Sequence, residues 1–465
     1  MRLLSLLCLL ICAAPALAGG ACGQPVTPIS QVQGAGDASP LDGQRVTVEG
    51  IVTLDSRGKE GFRGVYLQQA DAETDQDPRT SEALFVYTRS AVGAVGHRLR
   101  VSGQVQEYHG LTELTHTGEL HDCGKAALPA ARRISLPWPA GQKPEHLEAM
   151  RVSLARPLTV VDSSRLARYG SLTLASHDLY VRTQQRPPAP TARDPDTATL
   201  ELDDGKRIVG PTPLPYPAGG PGGPRTVRAG DQVTTPDAIL DWRYGNWHLQ
   251  PRQAPVFSAL NPRKPAPDRP GAANVRIAAL NLENLFNGDG QGGGFPTARG
   301  ARTASAYARQ KARLIATLSA LRADILVLVE LENDGYGSRS SLADMTHALG
   351  KSWRFVQPDG GDGHDAIRVA MVYNQTTVQP VGRPQRVTNA PFARGSRPPL
   401  AQAFRTVTGS DAVRVVAAHF KSKRCHGARG GNRDRGDGQG CYVAARVKAA
   451  TQLATWARNL PEVPA

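Results

Sequence analysis

The fold of this chain is constrained most by two short apolar segments, each of which is followed directly by a polar residue. VRIAAL, residues 275–280, precedes Asn281, and ILVLV, residues 325–329, precedes Glu330. A pattern typical of an amphipathic helix, near 305–321, separates the two segments. Strands that alternate with a helix predict an α/β sheet, in which ligands bind at the carboxyl ends of the strands. We therefore expect Asn281 and Glu330 to contribute to one site.

Glu330 is the predicted principal ligand of a divalent metal. A carboxylate after a fully apolar strand must be solvated, paired or metal-bound, because its burial alone is costly. Mg²⁺ or Mn²⁺ fits such a place, since one or two protein oxygens plus waters and substrate phosphate complete its shell. Strand alternation predicts Glu332 on the same side as Glu330. The alternatives are a solvated acid for Glu330 and a turn residue for Asn281.

A second strand end carries a histidine and a basic run. His419 ends the segment VRVVAAH, and a histidine with a suitable pKa can donate a proton to a leaving oxygen. Lys421, Lys423 and Arg424 follow it, and such cations position phosphates without reading bases. A packed histidine and a solvated basic loop are the alternatives. A final helix is predicted from about 443 to 460, with an apolar stripe formed by Val443, Val447, Ala450, Ala454 and Ala457.

The N-terminal part has a different, β-like pattern. GQRVTVEGIV at 43–52 and GHRLRVSGQV at 96–105 share alternating apolar residues and a central glycine, which predicts strands of a small, strongly bent barrel. From about 134 to 260 the chain stays β-like, which indicates a second β domain. Trp242, Tyr244 and Trp247 in this part are interpreted as packing residues. Candidate residues for stacking on bases are Phe62, Tyr66, Phe85, Tyr87 and Tyr108, with packing inside the barrel as the favoured alternative for most of them.

Residues 1–18 have the features of a secretory signal peptide. Arg2 precedes an apolar run, and Ala-Leu-Ala at 16–18 is a small-x-small cleavage pattern. The run is shorter than the roughly 20 residues of a transmembrane helix, and no later segment is apolar enough to span a bilayer. We expect a secreted protein, with the periplasm as the alternative compartment.

Four cysteines lie beyond this predicted signal, and an even number in an exported protein favours disulfides. We pair Cys22 with Cys123, at the two ends of the N-terminal β region, and Cys425 with Cys441, around a loop rich in Gly, Arg and Asp. Zinc is the rival interpretation, although the spacing fits no zinc motif.

The formal net charge of +14 favours a polyanionic partner, with solubility as the alternative explanation. Asp434 and Asp437 make Ca²⁺ a further candidate, but their spacing does not fit an EF-hand loop. Residues 261–271 are rich in proline and charge, which predicts a stiff linker. The sequence leaves the oligomeric state open.

NLENLF, VELEN, DAIRVAMVY and HFKSK resemble segments of the endonuclease/exonuclease/phosphatase superfamily, especially secreted bacterial nucleases. The resemblance implies that Asn281 helps to hold metal and phosphate, that His419 is the first of two catalytic histidines, and that Arg368 lies near the substrate backbone. Asp365 is expected to orient Arg368 through a charge-assisted pair. Glu283 and Asn284 are expected to serve local structure.

The resemblance also implies the fold class: a multidomain chain with an N-terminal all-β part, an OB-like barrel plus a second β domain, followed by an incomplete α/β two-sheet sandwich of deoxyribonuclease I-like type. The expected domains are a signal peptide at 1–18, the OB-fold-like domain at 19–130, the second β domain at 131–260, the linker at 261–271 and the catalytic domain at 272–465.

The expected function is hydrolysis of phosphodiester bonds in extracellular DNA, with RNA as an alternative substrate. The superfamily's later Asp-x-Asn and Asp-His motifs do not occur after Leu460. We therefore expect very weak activity or none if the chain ends here, and a truncated sequence is the preferred explanation. The alternatives are a catalytically dead protein that binds nucleic acid and a phosphatase or sphingomyelinase that acts on another phosphoester.

Overall fold

The computed structural model describes residues 22–463, with gaps at 119, 178–197, 218–225, 236, 263–272, 393–395 and 410–411. The predicted signal peptide and residues 263–271 of the predicted linker lie outside the described residues. The chain divides into two compact units, Met1–Pro262 and Arg263–Ala465. The described part is rich in β-structure, with several sheets and few helices. The prediction of a multidomain, β-rich chain is confirmed at this level.

The first sheet of the N-terminal unit closes on itself. Its strand order is β1-β2-β3-β5-β4-β6, and β1 also pairs with β4, so that five strands form a ring. Gly50 lies in β1, and a Cβ there would come 3.1 Å from the Cβ of Leu67, which explains the glycine in a tightly bent strand. The strands are β1 Arg45–Asp55, β2 Gly64–Gln68, β3 Ala83–Tyr87, β4 His97–Tyr108, β5 Leu111–Thr115 and β6 Leu120–Lys125.

The second sheet of this unit has nine described strands in the order β15-β12-β9-β10-β11-β14-β13-β8-β7. Two short helices, α1 Ile29–Gln33 and α2 Leu166–Tyr169, belong to the same unit. The strands are β7 Arg132–Ile134, β8 Arg151–Leu154, β9 Leu158–Asp162, β10 Leu172–Ala175, β11 Thr199–Leu202, β12 Gln232–Thr234, β13 Ala238–Arg243, β14 Asn246–Pro251 and β15 Val256–Ser258.

One hydrophobic core joins the ring to the nine-stranded sheet. Tyr66 and Phe85 of the ring pack in the same buried cluster as Leu172 and Leu249 of the second sheet. A separate cluster that includes Val48 fills the ring itself. The predicted boundary near residue 130 therefore separates two sheets that share a core within one compact unit.

The C-terminal unit contains a four-stranded sheet in the order β16-β17-β19-β18 and a three-stranded sheet in the order β20-β21-β22. β16 and β17 are parallel, and the other pairs are antiparallel. The elements are β16 Ile277–Leu285, α3 Ala304–Leu321, β17 Ile325–Glu332, α4 Ser341–Leu349, β18 Trp353–Phe355, β19 Ile367–Asn374, β20 Val378–Arg386, β21 Leu400–Thr406, β22 Ala412–Ala417 and α5 Val443–Arg458.

The first half of β17, Ile325 to Leu328, is buried on both of its faces. Leu326 and Leu328 of β17 pack in a cluster with Leu318 of α3, as the helical pattern predicted. Val327 packs in another cluster with Phe404 of the three-stranded sheet. This two-sided burial explains why β17 is apolar at successive positions and does not alternate.

The final helix, α5, packs through a different stripe from the one predicted. Ala449, Leu453 and Trp456 contact the cluster around Phe392, whereas Val447 is 59% exposed. The predicted stripe was wrong because alanines do not define a face by hydropathy alone, and the large side chains at Leu453 and Trp456 set the packing.

Both predicted disulfides are confirmed. Cys22 is bonded to Cys123 of β6, and Cys425 is bonded to Cys441, just before α5. Among the helices that the structure describes, none combines the length and the apolar character needed to cross a membrane.

Candidate functional site

The candidate site lies where the parallel strands β16 and β17 become irregular. Asn281 is opposite Val329, but the next paired residues are Leu285 and Leu331, so that each strand bulges at its carboxyl end. Glu330 is the bulged residue of β17 and has a left-handed backbone, with φ +61°. A left-handed backbone is unusual for a non-glycine residue, and such strained residues cluster at functional sites. The strain at Glu330, a predicted metal ligand, is therefore consistent with a functional role for this residue.

The bulge breaks the alternation of β17. Leu328 and Leu331 both pack in the cluster beneath α3, although alternation would put them on opposite faces. Glu332 accepts hydrogen bonds from the Ser341 hydroxyl at 2.9 Å and from the backbone N–H of Asn287 at 3.0 Å. Glu330 contacts neither of these groups. The expectation that both carboxylates share one side is therefore wrong, because the extra residue changes the register.

The carboxylate of Glu330 lies between two polar side chains. Its Oε2 accepts a hydrogen bond from Nδ2 of Asn284 at 3.2 Å, and its Oε1 lies 3.6 Å from Nε2 of His419. The side chain remains 23% exposed, so lone pairs are open to a further ligand. Asn284, which the sequence assigned only to local structure, is therefore part of the site.

Asn281 is exposed, and its side-chain amide oxygen contacts the backbone of the residues that follow it. Its Oδ1 accepts a hydrogen bond from the backbone N–H of Glu283 at 2.8 Å. Glu283 and Asn284 both have positive φ, and Gln310 of α3 donates to the carbonyl oxygens of Leu282 and Glu283. The helix thus holds the β16 bulge that brings Asn284 to Glu330.

The donor set supports only a small metal site. Within the described residues, no group of three or more His, Cys, Asp or Glu side chains could hold a metal. One carboxylate with amide oxygens fits Mg²⁺ or Mn²⁺, which retain waters and bind substrate phosphates, and falls short of the six to eight oxygens of Ca²⁺. Asp434 and Asp437 each accept a hydrogen bond from a backbone N–H two residues later, so they cap turns of the disulfide-closed loop.

A buried arginine that the sequence analysis missed reaches the same site. Nη2 of Arg397 lies 3.0 Å from Nδ1 and 3.3 Å from Nε2 of His419, and Nη1 lies 3.5 Å from a carboxylate oxygen of Asp365. Arg299, an exposed residue, pairs with the other oxygen of Asp365 at 3.2 Å. Burial lowers the pKa of Arg397, and the Asp365 and Glu330 carboxylates oppose this change.

His419 is favoured in its neutral form. Burial and then the charge of Arg397 lower the pKa of His419, against the opposing effects of Glu330 and Asp365. We assign Nδ1 as the acceptor because its contact with Arg397 is the shorter of the two, and this assignment puts the hydrogen on Nε2, the atom that faces Glu330. This tautomer can donate a hydrogen bond from Nε2.

Arg368 is placed in the protein interior. Its side chain is fully buried and donates to Asp362 at 2.9 Å and to the carbonyl oxygen of Gly335 at 2.5 Å, and its guanidinium lies 4.5 Å from the ring of Tyr336. The expected pair with Asp365 is not formed, because Asp365 pairs with arginines elsewhere in the sequence. This burial contradicts the expected contact between Arg368 and a substrate backbone.

The basic run after His419 remains largely accessible. Lys423 and Arg424 are exposed, while Lys421 is half-buried with its Nζ 5.0 Å from the ring of Tyr442. Cys425 follows these cations directly, and its disulfide to Cys441 closes the loop that begins just after them. The cations are therefore near the candidate site in sequence and free to meet an anion from solvent.

Comparison of the sequence with family models and with curated proteins gives no match. Among solved structures, a murine DNA-binding protein bound to double-stranded DNA is similar over 47% of this chain and 98% of its own chain, at 11% identity and a TM-score of 0.22. The tetrameric p202 HIN2 structure is similar over 46% and 92%, respectively, at 9% identity and a TM-score of 0.18. TM-scores this low carry no argument about fold or function.

Proposed function

We propose that this protein is a secreted, metal-dependent nuclease that hydrolyses phosphodiester bonds of extracellular DNA, with RNA as the alternative substrate. The observation that carries the proposal is the meeting of Glu330, Asn284, His419 and Arg397 at the ends of strands from two sheets. The resemblance to the endonuclease/exonuclease/phosphatase superfamily, through NLENLF, VELEN and HFKSK, supports the same reaction.

The proposal includes the finer fold assignments. The ring of β1 to β5, closed by the β1–β4 pair, supports an OB-like barrel. The two sheets of the C-terminal unit, with α3 and α4 packed on the four-stranded one, support an α/β sandwich of deoxyribonuclease I-like type.

Glu330 and Asn281 would hold Mg²⁺ or Mn²⁺ together with waters and the substrate phosphate. For Asn281 this requires its amide oxygen to be shared with, or released from, the turn hydrogen bond to Glu283. A metal held by these residues would supply positive charge that polarises the phosphate and neutralises developing negative charge. Asn284 fixes the Glu330 carboxylate through its 3.2 Å hydrogen bond, so that the ligand is oriented before substrate arrives.

His419 and Arg397 would act on the phosphate and the leaving oxygen. His419 would give the Nε2 proton of its imidazolium form to the leaving oxygen and return to the neutral imidazole that burial and Arg397 favour. Arg397 holds the imidazole and supplies a partly desolvated positive charge close to it. Lys421, Lys423 and Arg424 would position the strand through backbone phosphates.

The test is cleavage of supercoiled plasmid by the purified chain with Mg²⁺ or Mn²⁺. We expect weak cleavage, in line with the missing Asp-x-Asn and Asp-His motifs, and we expect EDTA to abolish it and Glu330→Gln to remove it. Glu283→Gln is the matched control, because it removes an exposed carboxylate from the neighbouring bulge and leaves Glu330 in place.

Equal cleavage by wild type and Glu330→Gln would sink the proposal. A folded protein that binds plasmid in a salt-dependent way and never cuts it would favour the binding protein as the correct function. Cleavage of a phosphomonoester or a sphingomyelin in preference to plasmid would instead assign another phosphoester substrate to the same site.

A further inference from the structure

A cavity of about 890 Å³ in the N-terminal unit lies between the ring and the β13–β14 hairpin. This volume is in the range of pockets that hold small organic ligands. Its wall carries Tyr87 at the end of β3, Tyr108 at the end of β4, and Trp242 and Tyr244 from the hairpin. Tyr108 is 51% exposed and Tyr244 is 68% exposed. Aromatic faces from two sheets thus line one opening.

The hairpin is fixed against the ring. Nε1 of Trp242 donates to the carbonyl oxygen of His109 at 2.9 Å, and a Cβ at Gly110 would lie 2.7 Å from that same nitrogen. Gly110 also has φ +87°, so glycine is required there for two reasons. Next to Trp242, the guanidinium of Arg243 stacks 4.0 Å from the ring of Phe62 and 4.6 Å from that of Phe85. The opening is therefore preorganised by an exposed hydrogen bond to the ring and by the packing of Arg243 on two buried aromatic rings.

The rim of the cavity is basic and its floor contains an acid. Arg63 and Arg207 line the opening, and Nε of Arg207 donates to the carbonyl oxygen of Gly61 at 2.7 Å. The carboxylate of Glu113 lines the floor and is 6% exposed. A carboxylate accepts hydrogen bonds from amino groups, whereas guanidinium groups bind phosphate.

We propose that this cavity binds unpaired nucleotides of a single nucleic-acid strand, with bases stacked on Tyr108 and Tyr244 and with phosphates held by Arg63 and Arg207. The inference rests on the proposed function, since the bound strand would belong to the same substrate. It gives the β13–β14 hairpin a binding role, whereas the sequence pattern indicated only packing for Trp242 and Tyr244. An oligosaccharide could use the aromatic faces, but the cations at the rim favour a phosphate-bearing ligand.

The test uses the full chain with Glu330→Gln, in EDTA, so that the probe stays intact. The probe is a fluorescent single-stranded oligothymidine of about 12 nucleotides, within the site sizes known for small barrels, and anisotropy gives its dissociation constant. We expect Tyr108→Ala and Tyr244→Asn each to weaken binding by about tenfold, as the loss of one stacked base predicts. Asparagine is chosen because Tyr244 has φ +53° and asparagine tolerates that backbone.

Tyr169→Ala is the matched control, since Tyr169 is an exposed tyrosine of the same unit that does not line the cavity. An abasic strand of equal length and charge is the second control, and we expect it to bind more weakly than the oligothymidine. The inference would be overturned if the abasic strand and the oligothymidine bound equally well. It would also be overturned if the double variant with Tyr108→Ala and Tyr244→Asn bound the oligothymidine as well as Tyr169→Ala does. Displacement of the probe by a neutral oligosaccharide would overturn it as well.

This result is separable from the proposed function. Plasmid cleavage by the wild type, with both tyrosines and Glu330 intact, tests the C-terminal site separately from the cavity variants. Cleavage by the wild type together with unchanged strand binding by the double tyrosine variant defeats the cavity inference alone. Absent cleavage by the wild type together with tyrosine-dependent strand binding defeats the nuclease and leaves the cavity.

Discussion

Nε2 of His419 lies 3.6 Å from Oε1 of Glu330, although Glu330 belongs to β17 of the four-stranded sheet and His419 follows β22 of the three-stranded sheet. The distance depends on the core between the two sheets, where Val327 and Ala417 share one cluster. Apolar packing between the two sheets thus sets the distance between Glu330 and His419. A polar substitution in that core should therefore alter the geometry of the candidate site without touching its polar side chains.

Arg397→Ala should lower kcat for plasmid cleavage by about 100-fold, because it removes a desolvated donor that contacts His419. Arg397→Lys should not restore the rate, since an ammonium cannot reproduce the guanidinium fork that reaches both His419 and Asp365. Steady-state kinetics on plasmid would measure kcat and KM separately.

Arg299→Ala is the control for this prediction, because Arg299 pairs with the same Asp365 but is exposed. We expect its kcat to stay within about twofold of wild type. Equal losses in the two variants would show that Arg397 acts only through the charge on Asp365.

The left-handed backbone of Glu330 predicts an unusual order of stability. Glu330→Gly should be more stable than Glu330→Ala by about 1 kcal/mol, since only alanine has a Cβ that strains φ +61°. At Glu332, in the same strand but with ordinary φ, the order should reverse. Urea unfolding with hydrogen exchange of β17 amides measures both pairs, and a stability order that is the same at the two positions would contradict the prediction.

Local patterns were sufficient to predict β17, α3 and both disulfides, because each depends on hydropathy or on cysteine position. The bulges were not predictable in this way. They depend on contacts such as the hydrogen bonds from Gln310 to the β16 carbonyls, which join residues 27 and 28 positions apart. The role of Asn284 follows from the bulge and was missed with it.

Arg397 and Arg368 show the same limit for charged residues. Arg397 meets Asp365 across 32 positions, and its surroundings in the sequence, GSRPPL, have no periodic pattern. Asp365 and Arg368 were paired because they are close in sequence. Residues three apart in an extended segment point to opposite faces, and Arg368 instead faces Asp362.

Asp362→Asn tests the structural role of this buried network. Asp362 contacts both Arg368 and Arg386, whose side chains are almost fully buried. Removal of its charge would take the Asp362 counter-ion from buried Arg386 and leave buried Arg368 with the more distant Asp334 carboxylate, 3.6 Å away, so we expect the free energy of unfolding to fall by about 3–5 kcal/mol. Chemical denaturation would measure this change.

Asp359→Asn is the matched control, because Asp359 pairs with Arg383 at 3.7 Å and both side chains are more than 85% exposed. Loss of the Asp359 charge should change the free energy of unfolding by less than about 1 kcal/mol. If Asp362→Asn were as mild as Asp359→Asn, the network would not hold Arg368 in place, and a substrate contact for Arg368 would again be open.

Burial of Glu113 predicts a pH-dependent stability of the N-terminal unit. Desolvation raises the pKa of Glu113 from 4.5 to about 7, with Arg243 opposing and Asp241 reinforcing the change. Because the folded state favours the protonated form, the stability that Glu113 contributes is present below pH 4.5 and is lost as the pH rises through about 7. Glu113→Gln keeps a neutral side chain of the same shape at every pH.

The unfolding free energy of the wild type should therefore fall more steeply between pH 4.5 and 8 than that of Glu113→Gln. Denaturant unfolding at pH 5 and at pH 8, with hydrogen exchange of β5 amides as the local probe, measures the difference. Glu73→Gln removes an equal charge from the exposed partner of Arg98 and should leave the steepness unchanged. Parallel profiles for wild type and Glu113→Gln would mean that the carboxylate is already ionised at pH 5, and water would then have to reach the floor of the cavity in the folded protein.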